Sequence, residues 1–198
     1  MTARRVDDDF RALPLDRLAD AALQRARDHG VEHADLRVER VRGSDLRLRD
    51  AQRAGSSDAT DSGLAVRVVL DGTWGFSASA DLTPEAAVRA VDQAVDLARV
   101  SRPLATERVE LAPEPVHVGE WVSAYAVDPF TVADSEQSEV FTTWSQQLLA
   151  AGLDHVDASF RAYKEQKFYA DLAGTRTVQQ RVRVQPVLTG VVVSSEGM

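Results

Sequence analysis

Asp61-Ser-Gly-Leu-Ala-Val-Arg-Val-Val-Leu-Asp-Gly-Thr-Trp-Gly-Phe-Ser-Ala-Ser79 sets the architecture of this chain. Leu64, Val66, Val68 and Leu70 alternate with other residues up to Asp71-Gly72, and Trp74, Phe76 and Ala78 alternate after it. Period two around a turn pair means an antiparallel hairpin with one buried face. Parity then selects the loop. A two-residue Asp71-Gly72 loop pairs Leu70 with Thr73 and puts Trp74 on the opposite face from Val68. A loop of odd length pairs Leu70 with Trp74 and Val68 with Phe76, gathering the large apolar groups on one face. The odd loop is the expected register, and it makes Trp74 and Phe76 core side chains rather than a ligand platform.

Upstream, Leu15, Leu18, Ala19, Ala22, Leu23 and Ala26 recur at helical spacing behind Pro14, which suits a first turn, and Gly30 caps the helix in the left-handed region. Leu36 and Val38, then Leu46 and Leu48 after Gly43-Ser44, alternate with charges and read as another hairpin, followed by a loop from Gly55 to Asp61. Residues 1–13 carry the acidic triplet Asp7-Asp8-Asp9 without periodicity, the pattern of a flexible N-terminal arm.

Downstream, Thr83-Pro84-Glu85 opens a helix with a cap hydroxyl, a first-turn proline and an early acid; Val88, Val91, Val95 and Ala98 are its buried stripe. Pro103, Pro113, Pro115 and Pro129 make residues 101–133 an extended connector. A third helix runs from about Ser135 to Ala151, with Asp134 and Gln137 as a capping box and Val140, Phe141, Trp144 and Leu148 as its core face, and Gly152 ends it. Strand patterns follow at Val156 to Phe160, Phe168 to Leu172 and Val178 to Val184, with a turn at Gly174-Thr175. Pro186 precedes a last apolar run, Val187 to Val193.

Two segments repeat. Gly30-Val-Glu-His-Ala-Asp-Leu-Arg-Val38 aligns with Gly152-Leu-Asp-His-Val-Asp-Ala-Ser-Phe160, each behind an amphipathic helix and opening an alternating strand. The expected fold is therefore α+β: two related helix-plus-antiparallel-sheet units, 14–100 and 134–198, joined by the proline-rich connector. No helix follows the strands of the second unit, which reads as incomplete at its C-terminus. His33 and His155 hold equivalent places, which implies a hydrogen-bonding or packing role common to both copies.

A net charge of −8 argues against a nucleic-acid backbone as partner. The arginines between Arg4 and Arg53 are interleaved with acids and read as solvated strand faces. No apolar run is long enough for a membrane span, and no secretory leader precedes the first helix, so the expected location is cytoplasmic. The absence of cysteine excludes disulfides, thiolate ligands and a thiol nucleophile.

His29-Gly-Val-Glu-His33 has the letters of an inverted zinc-peptidase signature. That chemistry needs both imidazoles one turn apart on a continuous helix, and Gly30 breaks the helix between them. His117 reads as an edge residue of the connector. Asp58, Asp61 and Asp71 fall in loops and turns, and Ser194-Ser195-Glu196-Gly197 has no base in view. No residue is assigned a catalytic, cofactor-binding or metal role.

The Asp61–Ser79 stretch resembles the "DSG-gVRV…dG-wGFa" segment of the TldD/PmbA family, also called modulators of DNA gyrase. His33-Ala-Asp-Leu-Arg37 resembles that family's first strand, and Leu82-Thr-Pro-Glu with Ala94-Val-Asp-Leu-Ala98 its following helix. Val127-Asp-Pro-Phe130 resembles the opening of its second half, and Glu165-Gln-Lys-Phe-Tyr-Ala-Asp-Leu-Ala-Gly-Thr175 its "E-K-f…s-Gt" strand pair. The match covers nearly the whole chain and favours the TldD type.

The resemblance implies the N-terminal, non-catalytic region of a cytoplasmic zinc metallopeptidase that degrades peptides or unfolded segments. Its partner would be a TldE/PmbA-type subunit, or a second copy of itself, around an enclosed chamber. The family's zinc ligands, a His-Glu-x-x-x-His helix and a cysteine, match no position here. Zinc is expected in the full-length protein, none in this chain, and the chain alone is expected to be inactive. The alternative is a naturally short interaction module that pairs with a full-length family member. Nucleic-acid binding, suggested by the gyrase label, conflicts with the acidic charge.

Overall fold

Leu70 pairs with Thr73, so the Asp71-Gly72 hairpin closes with two residues, not an odd number. Both turn residues lie at positive φ (51° and 70°), the geometry whose twist matches the flanking strands. This register sets Gly75, Ser77 and Ser79 beside Val68, Val66 and Leu64 on the core face, and turns Trp74 and Phe76 to the other face, 37% and 54% exposed. The reason is the helix Pro84–Ser101, which lies so close that a Cβ on Gly75 would stand 1.8 Å from the Ala94 carbonyl oxygen. An aromatic on this face would displace the helix and its alanine- and valine-rich stripe, Ala87, Ala90, Val91, Ala94, Val95 and Ala98. Close helix-on-sheet packing outweighs the burial of two aromatic rings.

The computed structural model describes residues 5–194. In chain order its elements are α1 (Asp8–Arg11), α2 (Leu15–Asp28), β1 (His33–Arg49), β2 (Gln52–Leu70), β3 (Thr73–Ser79), α3 (Pro84–Ser101), β4 (Val118–Val122), α4 (Asp134–Ala150), β5 (His155–Asp171) and β6 (Arg176–Val191), with short 3-10 turns at Arg102–Leu104 and Pro129–Thr131. The strands form a six-stranded sheet in the order β3-β2-β1-β5-β6-β4, so the fold is α+β as expected. The two sequence copies contribute hairpins to one sheet rather than building two.

Several strands are longer than the sequence pattern shows. Gly43-Ser44 is not a turn but lies inside β1, and the chain reverses at Asp50-Ala51, both at positive φ. Gly55 to Asp61, expected as a loop, belongs to β2; its side chains are mostly exposed, which erases the alternation. Val156–Phe160 and Phe168–Leu172 mark the two ends of the one strand β5. Pro186 sits inside β6, beyond the stretch Arg176 to Gln180 that pairs with β4. The connector is not wholly irregular, because it supplies β4, parallel to β6.

By contact the chain divides into two compact units interleaved along the sequence. The first takes the residues up to Arg40, Asp61–Val122 and Glu165–Gln180; the second takes Val41–Thr60, Ser123–Lys164 and Arg181 onward. These units do not coincide with the expected 14–100 and 134–198. A strand of 17 residues is about 55 Å long, more than one core spans, so β1, β2, β5 and β6 each pass from one unit into the other.

The first unit holds the larger core, built from α2, α3 and the inner residues of β1 and β2. Residues 5–13 of the arm pack onto it and are not loose: Val6 and Phe10 are fully buried. The Val6 N–H donates to Glu120 Oε1 at 2.7 Å and the Asp7 N–H to Gln180 Oε1 at 3.0 Å. Pro14 is the N-cap of α2 rather than its first helical residue, and Gly30 follows the helix at φ 67°. Thr83 caps α3 as expected, accepting from the Ala86 N–H at 3.2 Å.

The second unit buries Leu46, Leu48, Phe141 and Ala158, with Phe160 and Leu188 packed against them. The expected capping box of α4 does not form. Ala133 is the N-cap, Asp134 is already helical, and the Gln137 side chain donates to the carbonyls of Pro129 (2.8 Å) and Val132 (3.2 Å). Of the expected core face only Phe141 is buried, accompanied by Ser145. Val140 and Trp144 are exposed, Trp144 resting edge-on against Phe141.

Candidate functional site

The residues singled out from the sequence are not brought together. His29 ends α2 and its Nε2 lies 2.7 Å from Asp92 Oδ1, while His33 opens β1 and turns to Asp35. His155 takes Asp50, with Nδ1 3.0 Å from Oδ2. Each repeat histidine thus has an aspartate partner, but a different kind in each copy. His117 stands exposed at the β6 edge, its N–H donating to Thr175 Oγ1 and its carbonyl accepting from the Arg176 N–H. Asp58 pairs with Arg42 and Asp71 with Arg102. Among the described residues no three of His, Asp and Glu converge as metal ligands do. Ser194 is described; Ser195, Glu196 and Gly197 lie outside the described residues.

The groups that do converge lie in the first unit, on the sheet face turned away from α3. Asp35 is 1% exposed. Its Oδ2 accepts from Arg67 Nε at 2.9 Å and Nη2 at 2.7 Å, and His33 Nε2 lies 3.3 Å away. Arg37 Nε is 3.2 Å from Oδ1, which accepts no hydrogen bond. Burial pushes the Asp35 carboxyl up, but His33, Arg67 and Arg37 outweigh it and hold the group below its ordinary range. The Arg67 guanidinium also lies 5.0 Å from the centre of the Trp74 ring, and the His33 ring meets Trp74 edge-on at 6.2 Å.

Across this face a strap of connector is pinned at both ends. The Val109 N–H donates to the Gly72 carbonyl at 2.8 Å, and the Arg176 N–H donates to the His117 carbonyl at 2.8 Å. Beneath Leu111–Pro115 is a cavity of about 510 Å³ whose floor includes Glu32, His33, Arg67, Trp74, Tyr169 and Asp171. Asp171 Oδ1 accepts the N–H groups of Gly174 and Thr175, both at 2.9 Å, and Oδ2 accepts from the Tyr169 hydroxyl at 3.2 Å. Burial, then the charges of Asp35 and Asp171, push the Tyr169 phenol well up, so it stays a donor.

Sequence reasoning missed this assembly. Its one signal was an acid at Asp35, on the solvent parity of a strand that buries Ala34, Leu36 and Val38, with an arginine at the equivalent parity of the next strand. The Trp74 contribution was hidden by the wrong hairpin register, and the strap by reading the connector as structureless.

Residues 34–98 match the family model described as PmbA/TldA metallopeptidase domain 1. No curated protein matches the sequence. Among solved structures, one titled a modulator of DNA gyrase from Bacteroides thetaiotaomicron superposes with a TM-score of 0.72 at 13% identity, over 92% of this chain and 42% of that one. A second with the same description, from Thermotoga maritima, gives 0.69 at 14%, over 88% and 42%. TldE from Thermococcus kodakarensis gives 0.62 at 12%, over 90% and 40%. Residues 34–98 are thus similar to the first domain of that family, and the chain as a whole shares the fold of these solved structures. The chain spans about two fifths of the length of the solved structures it matches. No helix among the described residues is long and apolar enough to cross a membrane.

Proposed function

We propose that this chain is the N-terminal, non-catalytic region of a cytoplasmic TldD-type zinc metallopeptidase acting on peptides or unfolded segments. Its role is to support the catalytic half, shape the substrate chamber and contribute to pairing with a TldE/PmbA-type subunit or a second copy. The observation that carries this reading is the first-domain match over 34–98, set in a fold that occupies only part of each related structure.

The test is metal analysis and peptidase assay of this chain alone, with co-expression beside a TldE-type subunit. The expected outcome is no stoichiometric zinc, no cleavage of an unfolded casein substrate, and a defined complex by size-exclusion chromatography. One tightly bound zinc per chain, with cleavage that a chelator abolishes, would overturn the reading. A complex formed only with an intact family member, and a coding frame that ends at Met198, would favour the short interaction module instead.

A further inference from the structure

We propose that the strap-covered cavity of the first unit binds the basic side chain, lysyl or arginyl, of a peptide segment between Glu114, Asp171, Trp74 and Tyr169. That this peptide is a substrate rests on the peptidase reading; the binding itself does not. The argument starts from how the carboxylates are partnered. Near two other cavities among the described residues they are matched by cations. In the second unit, around a cavity of about 420 Å³, Asp58 is paired with Arg42, Asp45 with Arg47 and Arg161, and Asp134 with Arg53. At a further cavity of the first unit, of about 490 Å³, Glu120 is paired with Arg11 and Asp16 with Arg176.

The strap cavity departs from this rule. Glu32 has Arg108 3.7 Å away, but among the described residues no basic side chain pairs with Glu114 or Asp171. The one guanidinium in the lining, Arg67, is already neutralised by Asp35. Asp35 is buried and lies against His33 and Arg67, both of which line the cavity. Its Oδ2 takes Arg67 and its Oδ1 lies 3.2 Å from Arg37, so these arginines are already matched and leave the cavity's own carboxylates uncompensated by them. Glu114 and Asp171 bring negative charge to the open cavity. Its walls include the Trp74 and Tyr169 rings, which already receive Arg67 at 5.0 Å and Arg37 at 5.7 Å and so show that they accept a cation. A cavity of about 510 Å³ lies within the range that encloses small ligands. That volume is enough for one long side chain.

The full chain should be titrated with the capped tripeptides acetyl-Ala-Lys-Ala-amide, acetyl-Ala-Arg-Ala-amide and acetyl-Ala-Gln-Ala-amide, followed by tryptophan fluorescence and amide NMR shifts. The basic peptides are expected to bind about 3- to 10-fold tighter than the glutamine peptide, and less so as salt rises. Glu114→Gln should weaken the basic peptides about three-fold and leave the glutamine peptide unchanged. Trp74→Ala should weaken them by a similar factor. Phe76→Ala, on the same face but outside the cavity, should change nothing. Should Trp74→Ala fail to fold, Glu114→Gln, an exposed position, still decides. Equal affinity for all three peptides, no binding up to about 10 mM, or shifts that map away from residues 111–115 would overturn the proposal. Any of these would leave the zinc and subunit tests of the wider reading untouched.

Discussion

The two copies of helix, glycine, histidine and strand share a backbone and differ in what they bury. α2 ends before Gly30 at φ 67° and α4 before Gly152 at φ 101°; a 17-residue strand then begins at His33 in one and His155 in the other. In the first copy α2 buries Leu15, Leu18, Ala19, Ala22, Leu23 and Ala26. In the second, α4 buries Phe141 and Ser145. The first copy sinks its strand aspartate, Asp35, between two arginines, Arg67 and Arg37, while the second leaves Asp157 in an exposed pair with Arg49. The pattern of glycine, histidine and alternation is thus enough for the path of the chain. How much free energy it stores depends on what covers the sheet, and α3 adds a second helix only to the first unit.

Strand β1 lets this contrast be measured with one residue type. Leu36 and Leu46 lie on the same strand parity, both at most 2% exposed, but Leu36 sits in the large core and Leu46 in the small one. Leu36→Ala is expected to cost about 4 kcal/mol, near the upper end for a well-surrounded leucine, and Leu46→Ala about 2 kcal/mol, because its sparser neighbours can relax into the space. Urea unfolding checks this, with hydrogen exchange to show which unit opens. Equal costs would mean that the second core is as tightly supported as the first.

The aspartates give the next largest difference. Asp35→Asn strips the charge that holds Arg67 and Arg37, each about one third exposed, and should cost about 2–3 kcal/mol at neutral pH. Asp157→Asn should cost less than about 1 kcal/mol, as exposed pairs do. The sign with pH follows from the lowered carboxyl of Asp35. Its contribution is complete above the unfolded value of about 3.9 and is lost as pH falls through the folded one. The gap between wild type and Asp35→Asn should therefore be constant from pH 7 to 5 and close below about pH 4. A gap that widened on acidification would show that Asp35 is held protonated.

The hairpins, the helices and their glycine stops were legible because each is written in local residues: Asp71-Gly72, Thr83-Pro84-Glu85, Gly30, Gly152. What was not legible depends on elements distant in sequence. The register at Trp74 is set by Ala94, and no count of apolar residues in the hairpin alone reveals a helix pressed on Gly75. The arm was read as loose because Val6 and Phe10 are two isolated apolar residues, and their burial relies on a core completed later in the chain. The long strands were cut short wherever side chains on both parities face solvent, as at Gly55 to Asp61. The candidate site was invisible for a similar reason: it joins β1, β2, β3, β5 and the connector, and its aspartate was counted as one more solvated charge.

The finest test of the repeat lies in its glycines. No atom lies within 4 Å of where a Cβ would stand at Gly30 or Gly152, so an alanine at either meets no clash and costs only backbone strain. Gly30 sits near the centre of the left-handed well that side chains occasionally enter, and Gly30→Ala should cost about 1 kcal/mol. Gly152, at φ 101°, lies beyond that well, and Gly152→Ala should cost about 1 kcal/mol more. Asparagine, which tolerates the left-handed region, should rescue part of the loss at Gly30 and little at Gly152. If both positions accept asparagine equally, the two helix ends are the same motif in conformation as well as in sequence. If they do not, the second copy keeps the glycine for a turn that the first never makes.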